Sequence, residues 1–267
     1  MKKIIVNSLP KAGSHLVAKL LDIFGYKFSG GNFSSSTVYG RQQYIKSIIR
    51  GVFPWHAGVE VGLDIHACAR ATWINKELGR IKSGEYCGGH LPYSDYMNLL
   101  LKENNVFPLH VIRDPRDVLL SWAHYVPKTD WHYGREGLAG LALEDRVKKI
   151  LYGYQSGVFY IESFPSILQR SIGWTEGGKA MDVKFENLVG PQGGGNIEAQ
   201  NNAIRQIADY VGCVDVDVEK IAANLFGGTK VFRKGQVGSW KDELSAEMAA
   251  EVTNAIKPQI LQMGYTP

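Results

Sequence analysis

Five short runs of this chain could do chemistry on an anionic ligand. The first is Asn7-Ser8-Leu9-Pro10-Lys11-Ala12-Gly13-Ser14-His15. Gly13 lets the backbone come close to a ligand. Ser14 is placed to cap a helix, and the N–H groups at a helix start attract anions. Lys11 brings a mobile positive charge to the same place. The order is not that of a standard P-loop, in which Lys follows the second glycine of G-x-x-x-x-G-K-[ST]. Here Lys11 precedes Gly13 and no glycine lies upstream. The second run, Val111 to Ser121, offers the guanidinium fork of Arg113, which fits phosphate oxygens, and the hydroxyl of Ser121 as a further donor. The same residues also suit a surface salt-bridge network among Arg113, Asp114, Arg116 and Asp117. The third run, Phe232-Arg233-Lys234-Gly235-Gln236-Val237-Gly238-Ser239-Trp240-Lys241, carries a basic pair that alone is an ordinary solvated feature. The fourth, Gly89-His90-Leu91-Pro92, offers an imidazole, whose ordinary pKa suits a base near neutral pH. Of the other six histidines, His56, His66, His110, His124 and His132 are read as structural, and His15 lies in the first run. The fifth, Val183-Lys184-Phe185-Glu186-Asn187-Leu188-Val189-Gly190, puts an aromatic ring at the end of an apolar stretch.

These runs need elements to hold them. Lys3-Ile4-Ile5-Val6 reads as a buried strand, and the apolar residues from Leu16 to Phe24 recur at helical spacing and stop at Gly25. The first run is therefore a strand-to-helix turn. Further strands are expected at Glu85 to Gly89, Phe107 to Ile112 and Ala180 to Phe185. Pro115 suits the first position of a helix capped by Asp114 and running to about Tyr125. Other helices are expected at Val38 to Arg50, His66 to Arg80, Tyr93 to Glu103, Leu143 to Gly157, Pro165 to Ile172, Ala199 to Val211 and Val216 to Leu225. A terminal helix from Ser245 to Met263 should break at Pro258. Ser29 to Ser36, Pro127 to Gly140 and Phe232 to Trp240 read as loops, Gly51 to Asp64 as irregular, and Gly190 to Asn196 as a flexible loop. Strands alternating with helices predict an α/β fold with a parallel sheet covered on both faces. Ligands then sit beyond the carboxyl ends of the strands, where the lysine turn lies.

With 45% apolar residues, the 267-residue chain can bury a sizeable core, and no linker or repeat divides it, so one domain, 1–267, is expected. The net charge of +4 suits an anionic ligand, but without a dense Lys/Arg run it leaves no footprint for nucleic acid. Three scattered cysteines, Cys68, Cys87 and Cys213, form neither a disulfide framework nor a metal spacing and favour a reducing, cytoplasmic setting. No apolar run is long enough to span a membrane.

Taken together, the runs resemble the signature segments of sulfotransferases that use 3′-phosphoadenosine 5′-phosphosulfate (PAPS). Pro10 to Ser14 matches that family's P-K-[SA]-G-[ST] 5′-phosphosulfate loop. Arg113 to Ser121 is similar to its R-[ND]-P-[KR]-D-V-x-x-S segment, and Arg233 to Trp240 to its R-K-G-x-x-G-[DS]-W loop. Gly89 to Pro92 matches its [TG]-H-L-P segment, and Phe185 to Leu188 its [YF]-E-[DN]-L segment. The motifs run in the family's order over nearly the whole chain. The resemblance implies a P-loop-NTPase-like α/β fold and transfer of a sulfuryl group from PAPS to an acceptor hydroxyl or amine, with no metal. Lys11, Ala12, Gly13, Ser14 and His15 would hold the 5′-phosphosulfate. Arg113, Ser121, Arg233, Lys234 and Gly235 would hold the 3′-phosphate. His90 would be the general base, Lys11 would stabilise the leaving group, and Phe185 would lie against the adenine. Two departures stand out. Leu16 replaces the family's usual adenine-stacking Trp, so stacking falls to another ring such as Phe226. The family's dimer motif is not recognisable in Asp242 to Glu251, so the oligomeric state is left open. The acceptor, a small molecule, glycan or lipid, is also open. Aromatic residues outside the motifs, Tyr39, Tyr44, Phe53, Trp55, Tyr125, Trp131, His132, Tyr133, Tyr152 and Tyr154, could pack against it or fill the core. A nucleotide kinase or NTPase would share the phosphate turn but lacks the Walker order here. A non-catalytic PAPS-binding or carbohydrate-binding module would have no use for His90.

Overall fold

Ile4, Ile5 and Val6 are buried to 2% exposure or less, as expected of a strand covered on both faces. In the computed structural model, which describes residues 1–35, 52–53, 58–228 and 234–267, they belong to β1 (Lys3–Ser8). β1 is the middle strand of a five-stranded sheet with β2 (Lys27–Phe33), β6 (Glu85–Gly89), β7 (Val106–Ile112) and β10 (Met181–Lys184). The order is β10-β7-β1-β6-β2 and every pairing is parallel. The chain leaves β1 for β2 and β6 on one side, then fills β7 and β10 on the other. The direction of winding thus reverses at β1, and a crevice opens beyond its carboxyl end.

Alternate residues of β1 face opposite layers. Ile4 and Val6 join a core with α1 (Ser14–Ile23), α8 (Ile197–Val211) and α9 (Val218–Leu225). Ile5 joins the core of α2 (Ala71–Gly79) and α3 (Asp95–Glu103). A third cluster gathers α4 (Pro115–Tyr125), α5 (Leu143–Tyr152), α6 (Phe164–Ile172), α11 (Ala246–Ala255) and α12 (Lys257–Gln262) beside the sheet. Two further short helices, α7 (Phe185–Leu188) and α10 (Trp240–Glu243), lie at the crevice.

The expected strands at 85–89, 107–112 and 180–185 all form, and α4 starts at Pro115 with Asp114 Oδ1 accepting from the Arg116 N–H at 2.9 Å. Several expectations are corrected. The Gly/Ser-rich stretch read as a loop forms edge strand β2, which pairs with β6; its register shifts between Phe28 and Asn32, which accommodates Gly30 at φ 82°. Strand pairing here overrides weak local propensity. The helix expected from His66 begins only at Ala71, because Cys68–Ala69 is β5, paired with β3 (Val52–Phe53) and β4 (Val59–Glu60). The helix expected to reach Gly157 ends at Tyr152, and β8 (Tyr154–Ser156) and β9 (Phe159–Ile161) follow as a hairpin. The terminal helix breaks at Ile256, and Pro258 sits in the first turn of α12, where its missing N–H costs nothing. The expected helix from Val38 to Arg50 lies outside the described residues.

Candidate active site

The turn from β1 to α1 is built on two left-handed residues. Lys11 has φ 71° and Gly13 φ 107°. A β-carbon on Gly13 would also run into the Phe185 ring, so both backbone angle and space require glycine there. Gly13 therefore takes the N-cap position expected of Ser14, and no side chain caps α1. Ser14 and His15 form the first turn and line the crevice instead. Ala12 does not: its side chain is fully buried and its N–H donates to the Leu9 carbonyl at 3.1 Å. The Lys11 ammonium rests 3.9 Å from the centre of the Tyr125 ring. Desolvation lowers the pKa of His15, and the charges of Lys11 and His90 lower it further.

His90 follows the last residue of β6. Its main-chain N–H donates to the Phe33 carbonyl at 2.7 Å, and its Nδ1 lies 2.8 Å from the Ser8 carbonyl. A carbonyl only accepts, so Nδ1 carries the proton and Nε2 keeps its lone pair. Burial lowers the pKa of His90; the Ser8 carbonyl and Asp64 oppose this, and Lys11 adds to it. The imidazole is thus neutral near pH 7, with its acceptor nitrogen fixed.

A second wall of the crevice is built around Asp64, which no motif in the sequence marks. Asp64 is 3% exposed and accepts from the Ser35 hydroxyl, the Tyr133 hydroxyl and the Ile65 N–H. Burial first, then the charge of Asp64, pushes the Tyr133 phenol well above its ordinary pKa. His132 packs between rings, 4.5 Å from Tyr133 and 6.2 Å from Tyr125 by centroids, and burial lowers its pKa. Tyr125, Trp131, His132 and Tyr133 line the crevice here, so the 127–140 segment is more than a surface loop. Tyr152 instead bonds Glu251 on the surface, and Tyr154 is buried in the core. Tyr39, Tyr44, Trp55 and His56, and the side chain of Phe53, lie outside the described residues.

Arg113 and Lys234 bring further positive charge to the crevice lining. Arg113 is 8% exposed; its Nη2 donates to the Gln236 carbonyl at 2.9 Å, and its guanidinium lies 4.4 Å from the Phe185 ring centre. Its Nε is buried without a hydrogen-bond partner. The charge network considered from sequence exists only in part and is buried. Arg116 grips Asp114 through two bonds of 3.0 and 2.8 Å, donates to the Thr266 carbonyl at 2.8 Å, and stacks on Trp240. Asp117 accepts from the N–H groups of Gly238 at 2.8 Å and Trp240 at 3.1 Å. Burial raises its pKa, and Arg113, 3.6 Å away, pulls it back down. Asp117 thereby ties the 234–239 loop to α4. From the other side, Val237 N–H donates to the Gly193 carbonyl at 2.9 Å and the Gln236 amide to the Gln192 carbonyl at 2.8 Å. The glycine run at 190–196, expected to be flexible, is therefore a hydrogen-bonded shelf under that loop. Lys234 pairs with Glu243 at 2.8 Å. Glu186 accepts from the Asp114 N–H and from the Tyr265 hydroxyl, each at 2.8 Å.

The crevice holds about 380 Å³. It brings together Lys11, Gly13, Ser14, His15 and His90 with Arg113, Ser121, Phe185, Phe226, Lys234 and Gly235. Ala12 is left behind the wall, and Arg233 lies outside the described residues. Leu16, Val189 and Phe226 are apolar members of the same lining. Among the described residues, no three His, Cys, Asp or Glu side chains group as metal ligands do, and no helix is long and apolar enough to cross a membrane.

A parallel sheet whose winding reverses at a crevice lined by a lysine turn and a buried arginine defines an α/β protein with a P-loop-like fold. Within it, the architecture is the sulfotransferase fold. Mouse sulfotransferase SULT7A1 complexed with PAP matches with TM-score 0.60 and 17% identity, over 97% of this chain and 85% of that one. Retinol dehydratase in complex with retinol and PAP matches with TM-score 0.58 and 14% identity, over 99% of this chain and 83% of that one. The same enzyme with androsterone and inactive cofactor PAP gives 0.56 and 13%, over 99% and 82%. No protein-family model and no curated protein sequence matches the chain.

Proposed function

We propose that this protein is a PAPS-dependent sulfotransferase, transferring a sulfuryl group to an acceptor hydroxyl or amine and releasing adenosine 3′,5′-bisphosphate. The observation that carries this reading is one crevice lined both by the lysine turn with His90 and by Arg113, Ser121, Lys234 and Gly235. The lysine turn with the N-terminus of α1 would make one anion cradle; Arg113, Ser121 and the Lys234-Gly235 turn would make the other. A mononucleotide with one phosphate group would leave the second cradle unused. The residues present suit the second phosphate: the buried Arg113 Nε has no protein partner and its guanidinium is already held in place by Gln236 and Phe185.

PAPS, when bound, supplies a sulfuryl group joined through a bridging oxygen to the 5′-phosphate. His90 Nε2 takes the acceptor proton. Lys11 and the first-turn N–H groups of α1 meet charge that grows on the bridging oxygen. Arg113, Ser121, Lys234 and Gly235, with Arg233, fix the nucleotide for in-line attack. Phe185, Phe226 and Leu16 take the adenine, with Phe226 standing in for the missing Trp. The aromatic wall suits a small-molecule hydroxyl acceptor, and retinol dehydratase, of the same fold, holds retinol or androsterone. The three cysteines are free thiols, in keeping with a reducing cytoplasm.

Calorimetry tests the reading. Adenosine 3′,5′-bisphosphate is expected to bind at least about tenfold tighter than adenosine 5′-phosphate, since even one charge-assisted partner of the 3′-phosphate contributes ~1.5–3 kcal/mol. Equal affinity for the two nucleotides would sink the assignment.

A further inference from the structure

We propose that Lys19 is a positioning residue of the nucleotide site, fixing from α1 the turn that presents the Phe226 ring to the base. This rests on the sulfotransferase reading for the identity of the ligand; the contacts themselves belong to the fold. The Lys19 ammonium donates to three main-chain carbonyls, those of Asn224 at 2.7 Å, Leu225 at 3.0 Å and Gly227 at 3.0 Å. An ammonium has three N–H groups, so each finds an acceptor. Asn224 and Leu225 end α9, and the last carbonyls of a helix have no partner within it. The helix dipole also favours a cation there. A cap alone would stop at Leu225. The third bond reaches past Phe226 to Gly227, so the anchored carbonyls bracket that ring along the chain.

The bracketed turn has little stiffness of its own. Phe226 leaves α9 with an extended backbone, ψ 139°, and Gly227 and Gly228 follow in left-handed conformations at φ 70° and 75°. Phe226 and Gly227 line the crevice, whereas Lys19 does not. An effect of Lys19 on a bound nucleotide must therefore pass through the turn. The ring also rests against the glycine shelf, since a β-carbon on Gly193 would come within 3.0 Å of its edge. In this way α1 serves the ligand twice. Ser14 and His15 of its first turn line the crevice beside Lys11. About one turn further on, Lys19 sets the ring proposed to meet the base. One rigid helix thus ties the phosphate contacts to the base contact.

Calorimetry on the full chain tests this with adenosine 3′,5′-bisphosphate and its base-free analogue, 1,2-dideoxyribose 3,5-bisphosphate. Lys19→Met keeps the stem and removes the donors. It is expected to bind the adenosine compound about tenfold more weakly, within the range that stacking of a base on an aromatic ring contributes. The base-free analogue should bind as it does to the parent. In a chain already carrying Phe226→Ala, Lys19→Met should weaken binding by less than about twofold more, because residues that act through one another are not additive. Lys19→Gln, which keeps one amide donor group, serves if Lys19→Met does not fold. Equal losses for the two ligands, or full additivity with Phe226→Ala, would overturn the proposal and leave Lys19 as a cap of α9 only. Unchanged binding of both ligands would overturn it as well. A parent protein that binds the bisphosphate no tighter than adenosine 5′-phosphate would instead sink the sulfotransferase reading, and with it the base that Phe226 is held to meet.

Discussion

The proposed role of His90 as a base rests on the main-chain carbonyl of Ser8. That contact fixes the protonated nitrogen and leaves Nε2 as acceptor, and burial keeps the ring neutral below its ordinary range. The sign for activity follows. A lowered pKa keeps the base form populated as pH drops, so the acid limb of kcat/KM should have its midpoint below about 6.5. His90→Ala is expected to bind adenosine 3′,5′-bisphosphate normally and lose ~10²–10⁴-fold in turnover. The loss should shrink for acidic acceptors such as nitrophenols. Full turnover per folded molecule would remove His90 from the mechanism. Lys11→Ala should lower turnover by roughly 10²–10³-fold, as removing an oxyanion donor does, and bisphosphate affinity far less. The reverse pattern, weak binding with intact turnover at saturation, would contradict that role. His110 shows how context separates histidines. It contacts Asp182 and Ser171 at 3.0 and 3.2 Å, yet it is 2% exposed and lines no crevice, so it serves the core.

Elements decide which of these residues meet. The lysine turn, His90, Arg113 and Phe185 stood out in the sequence through the segments that resemble the family's, and the parallel strands deliver the ends that carry them to one edge. Asp64 and Ser35 were not legible, and Tyr133 stood out only as one of several aromatics that could meet an acceptor or fill the core. They come from three irregular segments whose meeting depends on tertiary packing, and no local period or motif marks them. Edge strand β2 was hidden for a related reason: its glycines weaken the local signal, and only β6 beside it makes it a strand. The loop that carries Lys234 and Gly235 shows the value of an anchor. Asp117 on α4 binds two of its N–H groups, and the 190–195 shelf binds it from the other side. Asp117→Asn keeps the shape but loses the charge, and one end of the amide repels an N–H. The expected result is about tenfold weaker bisphosphate binding, equivalent to ~1.4 kcal/mol, with affinity for adenosine 5′-phosphate unchanged. A uniform loss for both nucleotides would show that Asp117 acts on the fold and not on the loop.

At the scale of the whole molecule, residues 265 and 266 reach back to clasp the segment that carries Arg113. The Thr266 carbonyl accepts from Arg116 and the Tyr265 hydroxyl donates to Glu186, which also holds the Asp114 N–H next to Arg113. A chain lacking 265–267 is therefore expected to keep its sheet and most of its Tm but bind adenosine 3′,5′-bisphosphate several-fold more weakly; unchanged calorimetry would show that this clasp is idle. The clasp also orders events in time. Arg116 and Thr266 are 150 positions apart. At about 5–20 residues per second, the ribosome needs roughly 8–30 s to pass from one to the other. The strands β1, β2, β6 and β7 are complete before that interval begins, and the wall around Arg113 only when it ends. During those seconds the nascent chain carries its central strands but lacks the clasp, so a ligand that needs the wall around Arg113 can stabilise only chains already past residue 266.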